Sequence, residues 1–195
     1  MGWRPTTMSY SIEEIKDKLR EKLEPQHYEH SLRTAEAARD MARAFGVDVE
    51  KAYLAGLLHD YAKSMSNEQL FEVSKQCGIE LGPIDTVVPH LLHAKIGACL
   101  VELELGINDV EIIESIRKHT TGSSVMSKLD KIIYVADMIE PGRSFEGLDP
   151  LRKMALDDLD EVFRAAYVRS LEYLVKMRRP IHPTTVEVWN NVVLS

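Results

Sequence analysis

Signals that begin and end helices recur along this chain more often than any other local pattern. Ser11 is followed by Glu14 and Ser66 by Gln69, and both pairs have the spacing of a capping box that opens a helix. Gly46 stands where an apolar periodic run stops, as a glycine at the end of a helix does. Segments that alternate apolar and polar residues, as half-buried strands do, are few. The sequence therefore predicts an all-α fold.

The same signals set the bounds of the predicted helices. Asn108 is the predicted cap of the helix that reaches His119, and Asp149 is the predicted cap of a helix with Pro150 at its first position. The predicted helices cover residues 11–25, 26–45, 48–60, 66–78, 89–105, 108–119, 127–139 and 158–177, with shorter helices from residue 149 and after residue 183.

The length of the chain indicates one domain. Its 195 residues can bury one substantial core but are few for two. Residues 11–195 are interpreted as that domain. Residues 1–10 lack periodicity and are interpreted as a disordered tail. The Gly- and Pro-containing segment at residues 77–85 is predicted to be a loop.

Charge and cysteine content exclude several classes of protein. The net charge of −7 does not favour binding to nucleic acid or to an anionic membrane. No segment has the apolar length of a signal peptide or a membrane span, so a cytoplasmic location is expected. Cys77 and Cys99 lie far apart in sequence and outside any C-x-x-C spacing. They are interpreted as two buried thiols of a reduced protein rather than as a disulfide or a metal site.

An ionisable pair ends the apolar stretch LAGLLHDYAK, residues 54–63. Adjacent residues on an ideal helix point about 100° apart, so His59 and Asp60 can reach one ion only near a helix end or a bend. Each histidine alone is explained as readily by a hydrogen bond to a backbone carbonyl. The wider set of ligand-type side chains is His30, His59, Asp60, His93, His119 and Asp137. Imidazole and carboxylate together favour a divalent first-row metal over magnesium or calcium.

Six segments occur in the order found in one known family. They are YEHSLRTAEAA, LLHDYAK, LLHAKIGA, IRKHTTG, IIYVADMIEPGR and RRPIHPTT. In these segments the chain resembles the HD-domain metal-dependent phosphohydrolases. More narrowly, it resembles the bacterial YqeK group of symmetrical bis(5'-nucleosyl)-tetraphosphatases. The resemblance spans about residues 25–190 and implies an all-α HD-domain helical bundle.

The resemblance also implies a metal site and a substrate. The expected ligands of the primary metal are His30, His59, Asp60 and Asp137. His93 and His119 are expected either to bind a second ion with Asp60 or to contact phosphates, and both alternatives remain open. One or two divalent ions are expected, with iron first and manganese, cobalt or zinc as alternatives. The implied reaction cleaves diadenosine tetraphosphate into two ADP with a metal-activated water.

The residues that handle the substrate are assigned from the same segments. Asp60, Lys63, His93 and His119 are the expected catalytic residues. The expected substrate-binding residues are His27, Asp60, Lys63, His93, His119, Thr120, Thr121 and Arg143. Gly122 is expected to let the backbone approach the ligand, Lys118 to be a peripheral charge, and His182 to be structural or to line the nucleotide pocket. Tyr61, Tyr134 and Tyr173 are candidates for contact with the base, although each fits the core equally well.

Two alternative functions and one question of quaternary structure remain at this stage. The chain could be another HD-type nucleotide phosphohydrolase, such as a 5'-nucleotidase or a phosphodiesterase. It could also be a non-catalytic nucleotide-binding regulator. The long amphipathic helix predicted at residues 158–177 indicates either a homodimer interface or a helix that closes the monomer core.

Overall fold

The structure, a computed structural model, describes residues 10–194. Within that range it contains no strand, so the all-α prediction is confirmed. The helices are α1 (Ile12–Lys22), α2 (Pro25–Phe45), α3 (Val49–Leu58), α4 (Asn67–Gln76), α5 (Pro83–Val87), a short 3-10 helix (Pro89–Leu91), α6 (Leu92–Leu105), α7 (Val110–Lys118), α8 (Lys128–Ile139), α9 (Leu148–Met154), α10 (Leu159–Lys176) and α11 (Pro183–Leu194). None of these helices combines the length and apolar composition that a membrane crossing needs. The tail predicted at residues 1–10 lies outside the described residues, apart from Tyr10.

Most helix ends follow the local signals. Ser11 and Ser66 both form complete capping boxes, and Gly46 ends α2 in the left-handed conformation with φ of 67°. Ser127 caps α8 in the same way, with Asp130 as its reciprocal partner. These boundaries depend on hydrogen bonds between residues three apart, which a sequence displays directly.

Three helix boundaries were predicted wrongly. Asp109, not Asn108, caps α7, because its carboxylate accepts bonds from the first free N–H groups of the helix. Helix α9 begins at Leu148, so Asp149 and Pro150 lie in its first turn rather than at its cap. The predicted loop at residues 77–85 contains the start of α5, with Pro83 at its first position.

Helices α2, α3 and α8 form the centre of the bundle. Helix α2 packs against both α3 and α8, while α7 contacts α3, α6 and α8. One main core cluster runs from Ile15 in α1 to Val188 in α11 and includes buried residues of every numbered helix except α4 and α5. This packing places the ends of α3, α7 and α8 next to the first turns of α2. The single domain at residues 11–195 stays a prediction.

The closest approach between α2 and α3 is at Gly56. A Cβ added there would lie 2.9 Å from Ala35 Cα, which is backbone that cannot move without shifting α2. We expect Gly56→Ala to lower the free energy of unfolding by about 1–3 kcal/mol, because the two helices must separate. Urea unfolding measures this. Gly97→Ala is the matched control, since its Cβ would meet nothing closer than 3.6 Å. Equal stability of both variants would contradict the close contact.

A smaller core cluster lies between α4 and α6, around Leu70, Leu92 and Ile96. It brings Cys77 at the end of α4 and Cys99 in α6 to a Cα–Cα distance of 6.3 Å, and a disulfide joins them. The prediction of two separate buried thiols was therefore wrong. Sequence spacing could not show the pair, because 22 residues and the packing of two helices separate them.

The first half of α10 closes the monomer core. Val162, Phe163 and Tyr167 are buried, and the helix packs on α8. Its second half carries the exposed residues Tyr173 and Val175. Of the two explanations for this helix, core closure is confirmed for the first half, and the homodimer stays a prediction.

Candidate metal centre

Five separate segments deliver the ligand-type side chains to one place. His30 lies near the start of α2, His59 and Asp60 in the turn after α3, His93 near the start of α6, His119 at the end of α7, and Asp137 in the last turn of α8. The four histidines and Asp60 are 7% exposed or less. All six side chains belong to overlapping groups whose potential ligand atoms lie within 4.8 Å of one another. The structure thus brings together the whole predicted set.

One half of the cluster contains His30, His59 and Asp137. His30 Nε2 lies 2.9 Å from Asp137 Oδ1 and 3.2 Å from His59 Nε2. Asp60 Oδ2 faces the same half, 3.5 Å from His59 Nε2. These four residues are the ones that the sequence assigns to the primary metal.

The other half contains His93 and His119. Asp60 Oδ1 lies 3.0 Å from His93 Nε2 and 3.3 Å from His119 Nε2, and the two imidazole nitrogens are 3.1 Å apart. One carboxylate therefore presents one oxygen to each half of the cluster.

The turn after α3 explains how adjacent residues share one site. Helix α3 ends at Leu58, so His59 and Asp60 lie just past the regular helix. The Lys63 backbone N–H donates to the Asp60 carbonyl at 2.9 Å, which is an i to i+3 bond. Such bonds place side chains three residues apart directly above each other. Lys63 Nζ accordingly lies 3.4 Å from Asp60 Oδ1.

Backbone carbonyls fix the protonation of three histidines. Each Nδ1 faces the carbonyl three residues earlier, and an oxygen there requires a proton on that nitrogen. The pairs are His59 with Gly56 at 2.7 Å, His119 with Ile116 at 2.8 Å, and His93 with His90. In the neutral imidazole of each, the lone pair is therefore on Nε2, which points into the cluster.

This inward arrangement fits a divalent cation. Lone pairs on nitrogens that face each other at 3.1–3.2 Å repel when nothing positive lies between them. Asp60 Oδ1 is also buried and has no hydrogen bond within the described chain. One or two divalent ions would satisfy the nitrogens and the oxygen, and the donor types suit first-row metals. The cluster therefore indicates a divalent metal site.

His30 is oriented by a carboxylate that the sequence analysis did not assign. Its Nδ1 lies 3.1 Å from Glu140 Oε1, and Glu140 is 2% exposed. Arg33 Nε and the Gly142 N–H donate to the other carboxylate oxygen at 2.6 Å and 2.5 Å. Such carboxylate–histidine pairs orient metal ligands. The signal in the sequence is the position of Glu140, one turn after Asp137.

Burial keeps two histidines of the centre neutral, whereas the pKa of His30 shifts the other way. Burial lowers the pKa of His59 and His93 to about 4, so both are neutral near pH 7. Burial alone would raise the pKa of Asp60, but His59 and His119 outweigh it and hold that pKa well below its usual range. For His30, burial is outweighed by the bond to Asp137, and its pKa is raised.

The stability of the metal-free protein should depend on pH. Two histidines with a pKa near 4 in the folded state take up protons near 6.5 when unfolded. The unfolded state therefore binds more protons between these values, and stability is lost as pH falls from about 6.5 to about 4. His30, whose pKa is raised, opposes this in part. We expect urea unfolding of chelator-treated protein to show lower stability at pH 5 than at pH 7, and greater stability at pH 5 would contradict this.

Three partly exposed side chains mark the mouth of the centre. They are Lys63, Asp137 and Arg143, at 32%, 24% and 43% side-chain exposure. Arg143 Nη2 donates to Asp137 Oδ1 at 2.5 Å, and its Nε donates to the Asp137 carbonyl at 3.0 Å. A lysine and an arginine therefore lie at the exposed edge of the metal site.

The remaining predicted residues lie at varying distance from this mouth. His27 Nδ1 is 2.9 Å from Ser64 Oγ, beside the turn that carries Lys63. Thr120 and Thr121 directly follow His119 and are half-buried. His27 is thus next to the Lys63 turn, and the two threonines are next to His119 in sequence.

Two other predictions for this region, for Gly122 and Lys118, need correction, whereas the contact of His182 agrees with one of its two predicted roles. Gly122 does adopt a positive φ of 73°, but the space beside its Cα is closed by Val188 and Tyr167, so it does not provide a ligand approach. Lys118 is not a loose peripheral charge, since its Nζ donates to the buried Asp130 at 2.9 Å. His182 Nε2 lies 3.7 Å from Asp85 Oδ1, as a structural histidine would.

Two of the three tyrosines that are candidates for contact with the base lie in the core. Tyr61 and Tyr134 are 2% and 5% exposed, and their hydroxyls donate to Glu104 and Ser170. Both are therefore core residues. Tyr173, at 58% exposure, lies on the outer half of α10.

Comparison with known proteins gives the family. The model of the HD domain family matches residues 27–142, which contain every residue of the cluster. A relative from Halalkalibacterium halodurans, named symmetrical bis(5'-nucleosyl)-tetraphosphatase, is 37% identical over 86% of this chain and 89% of its own. A relative of the same name from Bacillus subtilis is 35% identical over 90% of this chain and 94% of its own.

A solved structure has the same fold. The crystal structure of a "predicted HD superfamily hydrolase involved in NAD metabolism" from Clostridium acetobutylicum has a TM-score of 0.91 to this chain. The two are 37% identical, and the match covers 95% of this chain and 98% of the other. The chain therefore belongs to the HD domain family, in the group whose curated members carry the name symmetrical bis(5'-nucleosyl)-tetraphosphatase.

Proposed function

We propose that this protein hydrolyses diadenosine tetraphosphate symmetrically, adding one water across the central phosphoanhydride to release two ADP. One observation carries the proposal. A buried histidine and aspartate centre opens between two cationic side chains, in a chain 37% identical to a relative named for this reaction. The relatives' names indicate the substrate. The geometry of the site provides the ligand-type side chains and the two cations that its hydrolysis would need.

The proposed ligands of the catalytic metal are His30, His59, Asp60 and Asp137. Bound there, a divalent ion activates a water molecule and neutralises charge on a phosphoryl oxygen. We propose iron, with manganese, cobalt or zinc as alternatives that the same donor set accepts. The tautomers of His59, fixed by Gly56, and of His30, fixed by Glu140, hold these ligands ready for the ion.

We favour one ion over two because Lys63 already supplies a cation to the second half of the cluster. Its Nζ lies 3.2 Å from His93 Nε2 and 3.4 Å from Asp60 Oδ1, within reach of two of the three groups that a second metal would need. His93 Nε2 then accepts a hydrogen bond from Lys63 Nζ, and the second half of the cluster needs no metal of its own. We expect elemental analysis of purified protein loaded with metal to give one ion per chain. A ratio near two would contradict this arrangement.

The substrate requires local positive charge, because the chain as a whole carries −7. Lys63 and Arg143 supply it at the mouth, on opposite sides of the Asp60 and Asp137 carboxylates. An arginine can bond two phosphate oxygens at once, and a lysine acts as a point charge. His27 and the hydroxyls of Thr120 and Thr121 are proposed to bind the rest of the phosphate chain.

A substrate panel tests the proposal against its alternatives. Metal-loaded protein is incubated with diadenosine tetraphosphate, AMP and a cyclic nucleotide, and the products are resolved by ion-exchange chromatography. We expect ADP from the tetraphosphate and slow or no turnover of the other two. Preferred release of adenosine from AMP would indicate a 5'-nucleotidase, and preferred opening of the cyclic nucleotide would indicate a phosphodiesterase. Binding without turnover of any substrate would indicate a regulator.

The homodimer is retained as a proposal. The outer half of α10 exposes Tyr173, Val175 and Met177, at 49–65% exposure. Apolar residues of this kind are common where two copies of a chain meet. Light scattering coupled to size-exclusion chromatography will give twice the mass of 22.1 kDa if the proposal holds.

A further inference from the structure

A concave surface lies beside the mouth of the metal centre. It is a cavity of about 520 Å³, lined by residues 143–150 and Arg152. Its volume falls in the usual range for small-molecule sites. Arg143 lines this cavity and also bonds Asp137 at the centre, so a single side chain connects the two places. None of the residues assigned to metal or phosphate, apart from Arg143, takes part in it.

The wall of this cavity is held in place by two arginines. Arg152 donates to the carbonyls of Ile139, Glu140 and Arg143, at 2.9, 2.7 and 3.1 Å. Arg169, from α10, donates to the carbonyl of Glu146. Gly147 adopts φ of 85°, and a Cβ there would meet the Arg169 guanidinium at 2.7 Å. The loop after the centre is therefore fixed from both sides.

The cavity suits a neutral group better than a phosphate. The guanidinium of Arg152 is engaged by backbone carbonyls, and that of Arg143 by Asp137. Two exposed carboxylates, Glu146 and Asp149, line the same space and would repel an anion. Carboxylates do accept hydrogen bonds from sugar hydroxyls and amino groups.

Phe145 supplies an apolar surface in the same cavity. Its side chain is 40% exposed, although phenylalanine is usually buried, and it lies two residues after Arg143. Aromatic rings stack on nucleobases with little dependence on the base. An exposed ring beside hydroxyl-accepting carboxylates is the chemistry that recognises a nucleoside.

The position of the cavity matches the geometry of the proposed substrate. In a dinucleoside tetraphosphate, two phosphates separate the central bond from each nucleoside. The Arg143 guanidinium lies on Asp137 at the centre, and the same residue lines the cavity, so a ligand in the cavity lies next to the cation proposed to bind those phosphates. We propose that the cavity beside Arg143 binds one nucleoside of the dinucleotide, with its base stacked on Phe145. This rests on the proposed function and names a subsite for that reaction.

The test measures Phe145→Ala with two ligands that share a phosphate chain. Steady-state kinetics give KM and kcat for diadenosine tetraphosphate, and competitive inhibition gives Ki for inorganic tetraphosphate, which lacks nucleosides. We expect KM to rise about ten-fold, with kcat changed less than about two-fold, because base stacking contributes about 1–3 kcal/mol. The Ki for tetraphosphate should be unchanged. Phe145→Trp should restore KM, since a larger ring stacks at least as well.

Controls separate the possible failures. Leu103→Ala removes another exposed apolar side chain, at 72% exposure near the end of α6, and should leave both constants unchanged. An unchanged KM in Phe145→Ala would overturn the subsite. An equal rise in KM and in the Ki for tetraphosphate would also overturn it, because the effect would then act through Arg143. Failure of the unaltered protein to hydrolyse the dinucleotide would instead overturn the proposed function.

Discussion

Asp60→Asn is expected to abolish metal binding and catalysis together. The variant keeps the shape of the side chain but removes the charge whose two oxygens face His59 on one side and His93 and His119 on the other. An amide cannot present two anionic oxygens to a cation. Loss of a residue that only orients a ligand costs about 10–100-fold in affinity, so loss of this ligand should exceed a hundred-fold. Elemental analysis and steady-state turnover measure the two effects.

Asp130→Asn is the matched control for this change. Asp130, in α8, is a buried aspartate, 1% exposed, that accepts a hydrogen bond from Lys118 at the end of α7 and takes no part in the cluster. It should lower stability while bound metal and turnover per folded molecule stay the same. Normal metal content in Asp60→Asn would remove Asp60 from the proposed site.

Glu140→Gln is expected to weaken metal binding about 10–100-fold without removing a ligand. The Glu140 carboxylate lies 3.1 Å from His30 Nδ1 and accepts a hydrogen bond from Arg33 Nε at 2.6 Å. The glutamine of the variant lacks the negative charge that attracts both partners. Without that charge, the tautomer with the proton on Nδ1 and the inward orientation of Nε2 are both less favoured for His30. Isothermal titration of chelator-treated protein with Mn²⁺ measures the affinity directly.

Glu36→Gln provides the comparison for that variant. Glu36 pairs with Arg39 on the exposed face of the same helix as His30, and its loss should leave the affinity for Mn²⁺ unchanged. If Glu140→Gln binds as tightly as the unaltered protein, Glu140 does not position His30.

Local features of the fold could be predicted because they depend on neighbouring residues. Ser11 and Ser66 cap helices with partners three residues away, and Gly46 ends a helix through its own backbone. The assignment of Asn108 failed by one residue, because Asn108 and Asp109 are both good caps and only the exact start of α7 selects between them. The sequence cannot settle such a choice without the packing of α7 on α6 and α8.

The six side chains that converge could be identified from the sequence, but the residues that support them could not. The six ligand-type residues carry recognisable chemistry, and the ordered segments related them to one family. Glu140 was overlooked because its role depends on Arg33, from a helix more than a hundred residues away in sequence. The disulfide between Cys77 and Cys99 was not predicted for the same reason, because only the contact of α4 with α6 brings the two cysteines together.

The most direct test of the central claim is product analysis with and without metal. Chelator-treated protein and the same sample reloaded with Fe²⁺ or Mn²⁺ are each given diadenosine tetraphosphate, and the nucleotides are resolved over time. The account predicts no product without metal, and ADP as the sole nucleotide product after reloading. Release of AMP with ATP, or unchanged turnover in the chelated sample, would contradict it.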